Sequence, residues 1–177
     1  SLALCYRDGR TTLADLKDKN YNDLKEKAKE AGDGRSVMMD KQVGSVWYVP
    51  GGHSTIGQMI KDAGGRYPWE DDEHSGSLPL SFETVLEEAF DTEVWMFRYE
   101  GAKPITLEAF GAEKDGYQQF RAYQTGEVYG CNVQTSRFYE ESPFHPDWLL
   151  SDFIRILHPG VKLNAPLKYY KKLNHSN

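Results

Sequence analysis

Apolar residues recur along this chain in helical and strand-like spacings by turns. From Thr12 to Ala31, the residues Leu13, Leu16, Tyr21, Leu24, Ala28 and Ala31 form a ragged stripe at helical spacing. Lys, Glu and Asp fill the rest of that segment, so its apolar face is thin. A helix of this kind lies on an exterior or bridges between lobes. Gly32 and Gly34 supply the stop. Val37 to Met39 is a short apolar run suited to a buried strand. A second run, Val46-Trp47-Tyr48-Val49, has strand chemistry and is broken sharply by Pro50-Gly51-Gly52. Ser54 to Ala63 reads as a helix with Ile56, Met59, Ile60 and Ala63 on one face, ended by Gly64-Gly65.

The segment from Arg66 to Leu80 has no periodicity and reads as an ordered, functional loop. Ser81 is an N-cap for a helix through Phe82, Val85, Leu86 and Ala89. Val94 to Phe97 is the clearest buried strand. A short helix starts near Thr106, and Glu127 to Val133 reads as another strand. Pro146 opens a mostly buried helix that runs to Leu157, with Ser151, Asp152 and Arg155 as its narrow wet side; Pro159 stops it. Strands and helices therefore alternate. The expected fold is α/β: a three-layer lobe with a mostly parallel central sheet and helices on both faces. Ligands of such sheets bind at loops beyond the strand ends.

Composition narrows the reading. The 177 residues suffice for one domain with a real core, and 39% are hydrophobic, which excludes a disordered chain. The net charge is −6, from 21 basic and 27 acidic residues, and no basic stripe is present, which argues against nucleic acid as a partner. Lys25, Lys27 and Lys29 alternate with Glu26 and Glu30 as a solvated helix face. No apolar run has the length of a membrane-spanning helix. The first residues lack the pattern of a secretory signal, and Leu2 to Tyr6 are apolar from the outset, as in a mature product or a piece of a longer protein. Cys5 and Cys131 form no CxxC; a disulfide between them and two separate thiols both remain open.

The strongest local feature is the strand, Pro50-Gly51-Gly52-His53-Ser54, helix sequence. Glycines let a backbone approach a ligand, and a helix N-terminus offers free N–H groups. The alternative is a tight turn without a ligand. The motif is neither a P-loop nor a dinucleotide fingerprint. His53 stands in the turn as a candidate contact or as a solvated residue. The five histidines show no paired metal-ligand spacing, and the acidic run Glu70 to Glu73 lacks the calcium-loop pattern. No GxSxG is present, so Ser54 beside His53 carries no nucleophile signature. Arg98 and Arg137 fall near expected strand ends with aromatic neighbours. Each is either a planar fork for carboxylate or chelate oxygens, or half of a surface salt bridge.

Together these motifs resemble one family in their order: Val46 to Ser54, then Asp62-Ala63-Gly64-Gly65, then Gly76 to Glu83, then His145 to Asp152 with Ile156 to Gly160. The family is that of the substrate-binding proteins of ATP-driven importers for ferric siderophores, haem and vitamin B12, and the likeness is strongest to iron-compound-binding proteins of Bacteroides-like bacteria. The resemblance implies two α/β lobes joined by one rigid helix, with ligand between them. This chain then corresponds to the C-terminal lobe. Residues 1–34 are the end of the joining helix and a linker, residues 35–177 are the lobe, and an N-terminal lobe is a missing partner. It implies a cleft wall of Trp47, Tyr48, Gly51, Gly52 and His53, with Tyr67, Trp69, Arg98, Arg137 and Tyr139 as additions. It implies docking onto an ABC permease through an acidic residue, with Asp62, Glu70 and Glu73 as candidates. The implied activity is capture of an iron chelate such as a ferric siderophore, with haem and cobalamin as alternatives, and with no cofactor or catalysis. The implied location is the periplasm, on a lipid anchor. From a different class, a metal-handling or chelatase-like enzyme lobe on a related scaffold is the rival, and a module that binds a protein partner is a third reading.

Overall fold

Residues 12–177 are described in a computed structural model; Cys5 and the apolar opening Leu2 to Tyr6 lie outside them. The first helix, α1, spans Leu13–Glu30. The Thr12 hydroxyl accepts from the Asp15 N–H at 3.0 Å while the Asp15 carboxylate accepts from the Thr12 N–H at 3.0 Å, a reciprocal cap. Lys27 and Lys29 sit in the last turn, where the helix dipole favours positive charge. Ala28 is the one fully buried residue of α1, as the thin stripe foretold. Gly32, at φ 82°, turns the chain out of the helix.

The elements that follow are β1 (Val37–Met39), β2 (Gln42–Val43), β3 (Val46–Pro50), α2 (Thr55–Asp62), β4 (Ser77–Leu80), α3 (Phe82–Ala89), β5 (Val94–Tyr99), α4 (Leu107–Gly111), a 3₁₀ turn (Tyr117–Gln119), α5 (Arg121–Thr125), β6 (Val128–Asn132), α6 (Phe138–Glu141), α7 (Pro146–Leu157) and β7 (Tyr170–Lys172). The central sheet has the order β1-β5-β6-β7. Its first three strands are parallel, with Val37 opposite Val94 and Trp95 opposite Val128. β7 closes the sheet antiparallel, with Tyr170 opposite Cys131.

Alternation along β5 sends Trp95 and Phe97 to one face and Met96 to the other. On the first face Trp95 packs with Phe110 at 4.8 Å and Tyr117 at 4.9 Å between ring centroids, and Phe97 stacks on Phe110 at 4.1 Å. The other face is covered by α7, whose Phe153 meets Tyr170 at 5.8 Å. α1 and α2 pack in turn against α7. The mostly parallel sheet between helical layers agrees with the expectation from the sequence.

Three features depart from it. First, Val46–Pro50 is not a strand of the parallel sheet. It is the centre of a second, antiparallel sheet with the order β2-β3-β4. Its partner β4 arises in the segment expected to be loop, where Pro79 hides the strand signal. β4 is an edge strand, which a proline tolerates. Second, Ser151 and Asp152 are buried rather than wet. The chain after α7 returns across that helix, and the Asp152 carboxylate accepts the N–H groups of Lys168, Tyr169 and Tyr170 at 2.8, 2.7 and 3.0 Å. Arg155, half-buried, donates to the Leu163 carbonyl at 3.1 Å. Third, α5, α6 and β7 were not anticipated, being short and without a periodic signal.

α2 is set tightly on the turn before it. The Ser54 hydroxyl accepts from the Gly57 N–H at 3.0 Å and donates to the Gly51 carbonyl at 2.6 Å. Alanine normally outranks glycine in a helix by about 1 kcal/mol. At position 57, however, a Cβ would drive into the backbone carbonyls of Gly51 and Gly52. We expect Gly57→Ala to reverse the usual sign and cost about 1–3 kcal/mol. A lower urea midpoint at unchanged slope is the readout; a rise in the midpoint would refute the packing argument.

Candidate functional site

The carboxyl ends of β1, β5 and β6 bring Asp40, Arg98 and the Asn132–Arg137 turn to one edge of the sheet. Asp40 ends β1 at φ 63°, a left-handed conformation unusual for a non-glycine residue. Its N–H donates to the Met96 carbonyl at 2.7 Å, and its carbonyl accepts the Trp95 indole N–H at 2.8 Å. Held this way, its carboxylate meets the Arg98 guanidinium through Nε at 3.1 Å and Nη2 at 3.0 Å, a fork in bidentate geometry. Burial works against the Arg98 charge, but the Asp40 carboxylate outweighs it and lifts the Arg98 pKa above its ordinary value.

Arg98 Nη1 also reaches the Tyr139 hydroxyl at 3.4 Å. Tyr139 is 57% exposed, while its neighbour Phe138 is buried against Tyr169 and Tyr170. Arg137, at φ 61°, is exposed and forms no ion pair among the described residues. This edge therefore presents one paired arginine, one arginine open to solvent and one open tyrosine. Beneath it, Cys131 stands opposite Arg98 in the sheet, and burial pushes its thiol up to about 11. The Tyr170 hydroxyl is buried there without a hydrogen-bond partner, and burial holds its pKa well above the phenol range.

The glycine turn is crossed closely by the segment that follows α2. The Gly51 N–H donates to the Gly76 carbonyl at 2.8 Å and the His53 N–H to the His74 carbonyl at 3.1 Å. A Cβ at Gly51 or Gly52 would strike the carbonyls of His74 and Gly76, or of Trp69, Glu70 and Asp72. The two glycines are needed so that the following segment can cross the turn.

Three aromatic residues expected on the cleft wall belong instead to the core. Trp47 has no exposed surface; it stacks on Trp95 at 5.6 Å, and its indole N–H donates to the Met39 carbonyl at 3.1 Å. Tyr67 is 3% exposed and its hydroxyl donates to the Pro50 carbonyl at 2.6 Å. Trp69 is 8% exposed and its indole N–H is taken by the Glu88 carboxylate. For Trp47 the cause is the second sheet, whose inner face covers the aromatic layer on β5; Tyr67 and Trp69 pack edge to face on each other at 5.4 Å between ring centroids.

Tyr48, alternating with Trp47 along β3, is exposed on the outer face of that sheet. His53 is exposed and lines a cleft of about 570 Å³ between α1, α2 and the start of α7, with Lys17, Tyr21, Gln58 and Pro146. Asp62 is not an open docking carboxylate. It accepts from the Tyr21 hydroxyl at 2.6 Å and pairs with Lys25 at 3.4 Å, fastening α1 to α2. Burial and that carboxylate raise the Tyr21 pKa. Glu70 and Glu73 are exposed and form no ion pair among the described residues. Asp40 escaped the sequence reading; its one signal is its place directly after the apolar run of β1. Among the described residues no group of three or more His, Cys, Asp or Glu side chains converges as a metal site, and no helix is long and apolar enough to cross a membrane.

The family model described as periplasmic binding protein matches residues 9–135. The chain belongs to the periplasmic binding protein family. Its fold is similar to a TroA-like periplasmic binding protein from Veillonella parvula, at TM-score 0.65 and 14% identity over 92% of this chain and 56% of that one. It is also similar to an Fe3+-hydroxamate transport system structure from Saccharomonospora viridis, at TM-score 0.59 and 17% identity over 81% of this chain and 46% of that one. A periplasmic haem-binding protein from Pseudomonas aeruginosa matches at TM-score 0.58 and 16% identity, over 91% and 56% of the two chains. Among curated sequences, an uncharacterized lipoprotein of Methanocaldococcus jannaschii is 27% identical over 131 residues, 73% of this chain and 30% of that protein. The chain thus spans about half the length of the solved binding proteins it matches and less than a third of the lipoprotein. The fold it shares with them is that of a TroA-like binding-protein lobe.

Proposed function

We propose that this chain forms one wall of a ligand-binding cleft, capturing an iron chelate of the ferric siderophore type for delivery to an ABC permease. The observation that carries the reading is the edge built by Asp40, Arg98, Arg137 and Tyr139. It lies where α/β sheets hold their ligands, in a chain of the periplasmic binding protein family. The Asp40 carboxylate fixes one arginine, so that Tyr139 and Arg137 are presented from a firm base. A guanidinium suits the anionic oxygens around a chelated ferric ion, and a phenol ring suits the flat organic arms of the chelator. A second lobe opposite this edge completes the cleft, as the share of each matched structure that the chain covers supports. Glu70 and Glu73 remain the acidic residues offered to a permease. Periplasmic residence on a lipid anchor is supported by the family and by the lipoprotein relative.

Calorimetric titration of the protein with a ferric tris-hydroxamate, a ferric tris-catecholate, haemin and cyanocobalamin tests this. We expect saturable binding of a ferric chelate, weakened about tenfold by Arg137→Ala through loss of one charge-assisted contact. Binding of haemin or cobalamin alone would replace the chelate reading with one of those cargoes. No heat with any of the four would reject the cargo reading in favour of a protein partner.

A further inference from the structure

The flank of the sheet beyond β6 holds a second concavity, of about 550 Å³, that shares only Arg137 with the edge proposed for the chelate. It lies between the loop after β5, the β6–β7 edge and the turn before α6. Its floor faces the aromatic side of the sheet, since Gly130 pairs with Phe97 on one neighbour and with Lys171 on the other. That is opposite to the face carrying Arg98 and Cys131. Gly130 matters here because a Cβ would meet Tyr99 at 2.9 Å and Leu173 at 3.1 Å.

The charge of this concavity runs against that of the chain. The protein as a whole carries −6, yet Arg137, Lys168, Lys171 and Lys172 line the cleft against the single carboxylate of Glu141. Lys168 stands 3.9 Å from Glu141, and Lys172 is engaged at 2.7 Å by Glu127. Arg137 and Lys171 have no acidic partner among the described residues. On the wall, Tyr169 is buried with its ring against Phe138. Ile105 and Leu173 give the same cleft an apolar side.

We propose that this flank is a second binding site, for a small organic anion whose carboxylate or phosphate sits between Lys171 and Arg137 and whose apolar body lies along Ile105 and Leu173. The volume falls in the range of small-molecule sites, and a few convergent donors beside apolar surface is their usual make-up. The guanidinium and the ammonium supply the charge. The site shares Arg137 with the edge proposed for the chelate, whereas Lys171, Ile105 and Leu173 belong to this flank alone, so variants at Lys171 separate the two.

Amide NMR titration of the protein with phenyl phosphate, hexanoate and 1-hexanol tests the assignment. Saturable shifts confined to residues 99–105, 130–137 and 169–174 are expected with one or both anions. Phosphate alone, or carboxylate alone, would name the headgroup. Lys171→Glu, an exposed change, is expected to weaken binding about tenfold or more, and Lys171→Arg to restore it. Ferric-chelate affinity is expected to be the same in all three proteins, which separates this site from the other. Absence of saturable shifts, equal binding of 1-hexanol, or indifference to Lys171→Glu would each overturn the proposal.

Discussion

Trp47→Ala is expected to cost about 3–5 kcal/mol of folding stability, the range for deleting a large aromatic side chain from a core. That is a large share of the ~5–15 kcal/mol by which domains are stable. The side chain has no exposed surface and touches four other rings: Trp95 at 5.6 Å, Phe120 at 5.7 Å, Tyr117 at 5.9 Å and Phe82 at 6.3 Å. It is the main bolt between the small antiparallel sheet and the parallel one. Removing it also strips the Met39 carbonyl of its donor at the point where β1 turns into Asp40. Urea denaturation followed by circular dichroism gives the number. Trp47→Phe is expected to fall between the wild type and alanine, because the ring is kept and the N–H donor is lost. A cost below about 1 kcal/mol for alanine, the size expected of exposed positions, would show that the residue is not the bolt described here.

Asp152→Ala is expected to have the second largest effect, about 3–5 kcal/mol, as when one partner of a buried charged network is removed. Three backbone N–H groups lose their acceptor at once, and the segment carrying β7 loses its hold on α7. Asp152→Asn is expected to be milder but not neutral. Its amide oxygen can replace Oδ2, which serves Tyr169 and Tyr170, while its NH2 then faces the Lys168 N–H. The carboxyl also has a pH signature. Burial raises its pKa from the ordinary value, against the pull of the three N–H donors. A raised folded-state pKa means that the folded protein holds the proton more tightly than the unfolded chain. The contribution of this group is therefore fully present below about pH 4, its unfolded pKa, and is lost as pH rises through the folded value. The difference between the stability–pH curves of the wild type and Asp152→Asn isolates that slope. A difference curve rising with pH over the same interval would contradict it.

Much of the fold is legible because its long elements carry strong local signals. Thr12 and Ala31 bracket α1 through a cap and a glycine stop, and Pro146 and Pro159 frame α7. What stayed hidden depends on contacts between distant residues. β4 exists because β3 offers it a partner, and β7 because β6 has an open edge. Neither has enough residues to announce itself. Asp152 reads as a wet residue on its own helix, since nothing at positions 151–155 reveals that residues 168–170 will bring it three donors. The same holds at the site. An aromatic residue before a glycine turn looks alike in sequence whether it faces a cleft or a second sheet, so Tyr48 and Trp47 could be separated only by the register of β3. Arg98 and Tyr139 were singled out by their place after strands, and the structure brings them within 3.4 Å of each other, whereas the Asp40 that pairs with Arg98 gave no such signal.

The four tryptophans divide into two optical populations. Trp47, Trp69 and Trp95 are buried, and the rings of Trp47 and Trp95 lie 5.6 Å apart and are tilted by 22°. At that separation the indole transition dipoles couple, so the pair is expected to give a split circular-dichroism band that vanishes when the two sheets part. Trp148 is partly exposed, stacked at 3.5 Å on His145 with Lys168 at 4.7 Å on its ring. Its emission answers to the rim around α7 and not to the interior. One sample thus carries a built-in gauge of the core and another of the surface, read at different wavelengths without any added label.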